Sequence, residues 1–286
     1  MQIAIASGKG GTGKTTIATS LALSISRSSV DDHPILLLDC DVEAPNAHLY
    51  LRPIITEQKE AAILLPQIDL AKCSACGRCV EVCQFHALAL IGKKVLVFSQ
   101  LCHGCGTCML NCPEGAITEK PNPIGMLEAG QTDSGIAFAQ GILTISEPMP
   151  TPIIRQLKRW KKGDPNQIVI LDAPPGASCS VVETVRGSDF VLLVTEPTPF
   201  GLHDLKQMVG ILREMGIPAG VVINRDGIGD GALEAYCAAE ELPVLLRIPF
   251  DRTIAEGTAQ GQSLIDIYPA YAGIFLHVLE RIKAIQ

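Results

Sequence analysis

Aromatic residues are scarce in this chain. They make up 4% of 286 residues, with a single tryptophan, while glycine occurs 26 times. A β-sandwich of this size would draw on more aromatic bulk, so the composition favours a close-packed α/β protein. No window of about 18 uncharged apolar residues exists, and no transmembrane helix is expected. Basic residues are in the minority, 23 Lys and Arg against 30 Asp and Glu, for a net charge of −7. That balance argues against nonspecific nucleic-acid binding. The start, "MQIAIAS", has neither the basic n-region nor the apolar h-region of an export signal, which points to a cytoplasmic protein. Eleven cysteines without such a signal point to metal or cluster binding rather than disulfides.

What is present is a regular alternation. Apolar runs at 2–7, 34–41, 167–176, 189–197, 219–225 and 243–249 predict buried strands. Helical periodicity falls between or after them, at 14–28, about 151–161, 179–187, 202–215 and 231–241, with a closing helix over 269–285. Apolar strands alternating with helices predict a mostly parallel sheet covered on both faces.

The first such turn carries chemistry. "GKGGTGKT" (8–15) follows a predicted strand and precedes a predicted helix, the context the G-x-x-x-x-G-K-[ST] pattern requires. Gly8, Gly10, Gly11 and Gly13, with Lys9, Thr12 and Thr16, form a backbone cradle for phosphates, helped by the helix dipole. Lys14 is expected to neutralise the β/γ-phosphates and Thr15 to bind Mg²⁺. "DCD" (39–41) ends the second predicted strand. Carboxylates there are costly unless paired, and that end of an α/β sheet is where ligands bind.

Residues 58–120 break the pattern. Cys73, Cys76, Cys79 and Cys83 recur as Cys102, Cys105, Cys108 and Cys112, each shifted by 29 positions. The doubled C-x₂-C-x₂-C-x₃-C spacing, with Pro113 after the second run, is the bacterial ferredoxin run, in which the fourth cysteine ligates the other cluster. One [4Fe–4S] cluster is therefore expected on Cys73, Cys76, Cys79 and Cys112. The second falls to Cys83, Cys102, Cys105 and Cys108. Zinc is the alternative occupant of four thiolates. Gln84 stands where the first run would have its proline. Two oxidised sites of net −2 bring the formal −7 to about −11, so a redox partner is expected to present a basic face. Of the remaining cysteines, Cys40 reads as buried packing and Cys237, on a predicted helix, as inert.

Lys9, near the start of the glycine loop, marks a resemblance to the deviant Walker A proteins of the MinD/ParA/Mrp/nitrogenase-iron-protein superfamily, over the whole non-cysteine part. "DAPPGASCSVVETV", "VTEPTPFGLHDLK" and "IPFDRTIAEG" also resemble its Mrp-type branch. The resemblance implies a P-loop NTPase of the SIMIBI type over 1–57 and 121–286, with a small α+β bacterial-ferredoxin-like domain inserted at 58–120, just past a switch I stretch, "DCDVEAPN" (39–46). It implies that Lys9 reaches the partner's phosphates in a nucleotide-sandwich dimer, formed with itself or with a related ATPase. It implies Asp41 at the attacking water, Asp39 in the Mg²⁺ shell, and Asp172 as the switch II residue holding a Mg²⁺-bound water. Asn224 and Arg225 are implied at the adenine, with Pro249 and Asp251 in the loop that closes over it. Cys179, seven residues after Asp172, matches a bridging-cluster ligand of the nitrogenase iron protein, but no second such cysteine precedes Asp172, and small-residue packing near switch II is the expected role over a redox one.

The expected activity is Mg-dependent ATP hydrolysis, coupled to electron transfer through the two clusters. Two alternatives are an Fe–S assembly or delivery ATPase and a MinD/ParA-like positioning ATPase with a redox-sensing module. The expected partner is a redox or Fe–S acceptor protein. The tail 274–286 carries too few cations for a membrane-surface helix and is expected to pack on the sheet.

Overall fold

The computed structural model describes residues 1–28, 33–229 and 231–285. The chain opens with β1 (Gln2–Ala6), α1 (Lys14–Ser26), β2 (Ile35–Asp39) and the short α2 (Ala47–Leu51). Two long strands, β3 (Ile54–Ile68) and β6 (Ile117–Gln131), enclose α3 (Arg78–Glu81), the hairpin β4 (Leu88–Ile91) and β5 (Lys94–Val97), and α4 (Thr107–Leu110). Then follow β7 (Ala137–Leu143), α5 (Thr151–Trp160), β8 (Ile168–Asp172), α6 (Cys179–Val185) and β9 (Phe190–Thr195). The chain closes with α7 (Pro199–Met215), β10 (Ala219–Asp226), α8 (Ala232–Ala239), β11 (Val244–Pro249), α9 (Arg252–Ala259), α10 (Leu264–Ile267) and α11 (Tyr271–Ile285).

Nine strands form one sheet in the order β11-β10-β9-β1-β8-β2-β7-β6-β3. The pairs from β11 to β7 are parallel, and β6 is antiparallel to both neighbours. Alternate residues of each central strand serve opposite cores. Ala4, Ala6, Leu36 and Leu38 pack with α5, α6 and α7 through Ile153, Val181 and Leu205. Ile3, Ile5 and Leu37 pack with α1, α10 and α11 through Ile17, Leu264 and Phe275. Burial on both faces explains why these strands read as continuous apolar runs. The closing helix buries Phe275, Val278, Leu279 and Ile282, as its periodicity predicts. No helix of the described residues is long and apolar enough to cross a membrane.

Helix α7 begins three residues earlier than its periodicity predicts. Thr198 caps it by accepting the Gly201 N–H at 3.0 Å, and Pro199 takes the first turn, where its missing N–H costs nothing. The larger departure is β3, β6 and β7, none of which hydropathy predicts. β3 and β6 are edge strands in large part, polar on the outside and broken by Pro66, Pro121 and Pro123. Only 125–131 of β6 has β7 as a second neighbour. Upstream the strand has a free side, where proline forfeits no ladder bond.

The register shows where this ribbon goes. Gly125 pairs with Leu143, at the carboxyl end of β7. Residues 62–68 and 117–123 pair only with each other. They therefore run past the carboxyl edge of the parallel strands, for roughly 20 Å at 3.3 Å per residue. The eight comb cysteines sit at the tip of this ribbon. Positions 58 and 120 both lie inside its strands.

Candidate functional site: a nucleotide cleft and two thiol-lined cavities

A cavity of about 450 Å³ opens at the carboxyl edge of β1, β2 and β8. Its walls include Gly10, Gly11, Gly13, Lys14, Thr15 and Thr16 from the glycine loop, Asp41, and Asn224, Arg225, Pro249 and Asp251 from the far strands. Gly8, Lys9 and Thr12 are not on its surface. Gly8 serves packing instead: a Cβ there would meet Asp204 of α7 at 2.4 Å. Gly13 does need to be glycine, since its φ is +97° and a Cβ would meet the Asn224 amide at 2.7 Å. That amide donates to the Thr12 carbonyl at 2.8 Å and ties β10 to the loop. Asn46, Pro175 and Phe250 also line the cavity, inside the stretches 39–46, 172–176 and 248–251 but not named there as site residues, and Tyr50 of α2 lies in none of them. Only tertiary packing brings α2 and the turn after Asp172 beside the loop.

Three carboxylates and one ammonium crowd the loop side of the cleft. Lys14 is nearly buried and donates to Ser7 Oγ at 3.0 Å and to the Lys9 carbonyl at 3.4 Å. Burial lowers its pKa, against the pull of Asp172 and Asp41. Asp172 is 1% exposed, and neither carboxylate oxygen has a hydrogen-bond partner among the described residues. Burial and then Asp39 push its carboxyl well above the usual range, while Thr15 and Lys14 act the other way. Asp39 is fully buried and accepts backbone N–H bonds from Asp41, Asn46 and Ala47 at 3.1, 2.9 and 3.0 Å. Desolvation still pushes it up to about 7. Asp41 is raised by burial and held back by Lys14. An unpartnered buried carboxylate beside a threonine hydroxyl and a second carboxylate is a donor set suited to a hard, oxygen-loving divalent cation such as Mg²⁺.

Lys9 turns away from the cavity. Its Nζ lies 2.9 Å from Glu196 Oε2, and Arg225 lies 2.7 Å from Oε1 of the same carboxylate.

At the ribbon tip the two cysteine runs cross. One small cavity is lined by Cys73, Cys76, Cys79 and Cys112. The other is lined by Cys83, Cys102, Cys105 and Cys108. The 29-residue repeat is visible in the backbone. Gly77 and Gly106 have φ of 79° and 73° and start α3 and α4; His86 and Gly115 have φ of 51° and 56°. The Ala87 and Ala116 N–H groups each donate to a sulfur at 3.3 Å, those of Cys83 and Cys112. Among the described residues no three His, Cys, Asp or Glu side chains converge on a single-ion site; the thiols line a space instead. Four thiols with amides aimed at sulfur fit a cluster held by thiolates. Burial pushes the Cys108 thiol up to about 11, so its thiolate needs a metal to be stable.

The two cavities are not equivalent. Cys102 and Ala87 join the main core through Ile63 and Leu65. Cys79, Leu88, Val95 and Ile117 form a separate small core. The Cys102 cavity is therefore the inner one, beside Leu64 and Pro66 of the ribbon. Of the leftover cysteines, Cys40 and Cys237 are buried, and Cys179 is exposed at the first residue of α6.

Helix α5 joins the ribbon to the cleft. The Gln156 amide donates to the Ala62 carbonyl at 3.1 Å and accepts from the Ala62 N–H at 3.4 Å, at the bulge where β3 leaves the sheet. Arg155 binds Glu183 of α6 through two bonds of 3.1 and 3.0 Å. Lys158 caps the α6 carbonyls of Glu183 and Thr184 and that of Arg186, at 2.7–2.9 Å. Helix α6 follows the turn that begins at Asp172.

Known proteins share this architecture. The MinD septum site-determining protein of Pyrococcus horikoshii, solved with Mg-ADP, superposes with a TM-score of 0.60 at 18% identity, covering 98% of this chain and 95% of its own; this likeness is one of fold. An uncharacterised protein of Methanocaldococcus jannaschii is 31% identical over 271 residues, covering 93% of this chain and 91% of that one. A cytosolic Fe-S cluster assembly factor Nubp2 homolog of Anopheles gambiae is 23% identical over 286 residues, covering 93% and 89%. The model of the CobQ/CobB/MinD/ParA nucleotide binding domain matches residues 3–265, from β1 through α10. The chain thus belongs to the CobQ/CobB/MinD/ParA family of P-loop nucleotide-binding proteins.

Proposed function

We propose that the chain is a Mg-dependent ATPase whose nucleotide state governs one-electron transfer through two [4Fe–4S] clusters. The observation that carries this reading is the placement of both thiol-lined cavities on a ribbon that leaves the carboxyl edge of the sheet, the edge that also holds the nucleotide cleft.

In this reading Gly10 to Thr16 cradle the phosphates, and Lys14 exchanges its bonds to Ser7 and the loop carbonyl for phosphate oxygens. Thr15, Asp172 and Asp39 hold Mg²⁺, directly or through water. Asp41 orients the attacking water. Asn224 and Arg225 meet the base, under the loop of Pro249 and Asp251. Cys73, Cys76, Cys79 and Cys112 hold one cluster and Cys83, Cys102, Cys105 and Cys108 the other, in a ferredoxin-like unit inserted between the two stretches of the ATPase domain. When bound, the clusters supply one-electron chemistry. Movement of the turn after Asp172 is transmitted by α6 to α5, and by Gln156 to the root of the ribbon. Lys9 acts across a nucleotide-sandwich dimer.

The test is a redox titration of anaerobically reconstituted protein without nucleotide, with ADP, and with a non-hydrolysable ATP analogue, counting iron before and after. Potentials that shift with nucleotide at constant iron support gating. Identical potentials in all three states reject it. The similarity to an Fe–S assembly factor supports a second reading, cluster delivery, in which ATP addition releases iron to an apo-acceptor.

A further inference from the structure

Glu196 lies one residue past β9 with a side chain only 5% exposed, and its carboxylate is shared by two cations. Lys9 comes from the phosphate loop. Arg225 comes from β10, lines the nucleotide cavity, and donates through Nη2 to the Gly11 carbonyl at 3.4 Å. The backbone of Glu196 is held in place. Its own carbonyl accepts the Thr198 N–H at 2.8 Å, and α7 packs on it so closely that a Cβ on Gly201 would lie 2.2 Å from that oxygen.

Two cations on one carboxylate leave one positive charge in surplus. Withdrawing either cation would leave a matched pair, so their other contacts decide which can leave: Arg225 also holds the Gly11 carbonyl, whereas Lys9 Nζ bonds Glu196 alone among the described residues. Lys9 is one-third exposed and Arg225 nearly half, so it is the lack of a second bond, not exposure, that makes Lys9 the member free to leave. We infer that Glu196 is a positioning residue: it holds Lys9 inside its own subunit until nucleotide phosphates displace it, while keeping Arg225 on the base side of the cleft. The inference rests on the proposed action of Lys9 on phosphate. A triphosphate, carrying more charge than a diphosphate, competes better for the ammonium. Glu196 therefore opposes the preference for ATP over ADP that Lys9 creates.

The ratio of ADP to ATP-analogue dissociation constants tests this, because base and ribose contacts are common to both nucleotides and cancel. Calorimetry on the reconstituted full chain is expected to show the ratio rising about fivefold in Glu196→Gln and not rising in Arg225→Ala, which leaves Glu196 to Lys9 alone. Lys9→Ala is expected to lower it. An unchanged ratio in Lys9→Ala rejects the action of Lys9 on phosphate. A lowered ratio in Lys9→Ala with no rise in Glu196→Gln overturns the role of Glu196 alone. A rise in Arg225→Ala equal to that in Glu196→Gln also overturns it, by reducing the effect to general loosening. If Glu196→Gln does not fold, Glu196→Asp draws the carboxylate back by one carbon and must raise the ratio too. Amine acylation read by mass spectrometry gives a second, structural signature. Lys9 should label about fivefold faster in Glu196→Gln than in the wild type, with exposed Lys72 as the internal reference; equal labelling overturns the inference.

Discussion

Replacing Asp172 by asparagine should make the nucleotide-free protein more stable at pH 8. Asp172, Asp39 and Asp41 crowd one end of the sheet with Lys14 as their nearby cation. Asp39 shows the scale: raising a carboxyl from 3.8 to about 7 penalises its charged form by about 4 kcal/mol. Asp172 is raised as well: neither oxygen has a hydrogen-bond partner among the described residues, and Thr15 and Lys14 offset its burial only in part. The sign follows from linkage. A carboxyl raised in the folded state favours folding fully below its unfolded pKa, and that advantage is lost as pH rises through the folded value. Stability of the nucleotide-free wild type should therefore fall between about pH 4 and 8. Asparagine keeps the shape, removes one buried charge and lowers the burden on Asp39. A gain of about 2 kcal/mol at pH 8 is expected, with a shallower fall with pH. Urea unfolding at pH 5 and pH 8, without Mg²⁺ or nucleotide, measures both. With Mg-ATP analogue present the order should reverse, because only the wild type gains the metal ligand. A variant less stable than wild type at pH 8 without ligand would refute the idea that this carboxylate awaits a cation.

Three further outcomes are expected. Lys14→Ala should abolish ATP hydrolysis while leaving iron content at about eight per chain, read by phosphate release and iron assay. Cys112→Ser should lose the same paramagnetic signal as Cys76→Ser, and Cys83→Ser the same as Cys105→Ser; pairing by run, with Cys83 matching Cys76, would overturn the crossed ligation. Gln156→Ala deletes the amide pair on Ala62, costing about 1 kcal/mol of stability. It should shrink any nucleotide-dependent potential shift while ATP affinity stays within about twofold, and an undiminished shift would remove α5 from the path.

The alternating apolar runs were enough to define six of the seven parallel strands, all but β7, because a strand buried on both faces, such as Ile168–Asp172, has no polar register to obscure it. The glycine loop was equally legible, since its spacing and its place between strand and helix are local properties. The cysteine spacing by itself divided eight thiols into two crossed sets, and the two cavities follow that division. What composition could not reveal was the ribbon. Strands β3 and β6 are joined by a long antiparallel ladder and bury only scattered apolar residues such as Ile63, Leu65, Ile124 and Leu127, so their polar residues and prolines look like loop. Tertiary structure alone decided that this ladder leaves the carboxyl edge, that Gln156 fastens its root, and that Lys9 and Arg225 meet on Glu196. Each joins residues distant in the chain, and no local pattern of charge or hydropathy records which side chains a fold will bring within 3 Å.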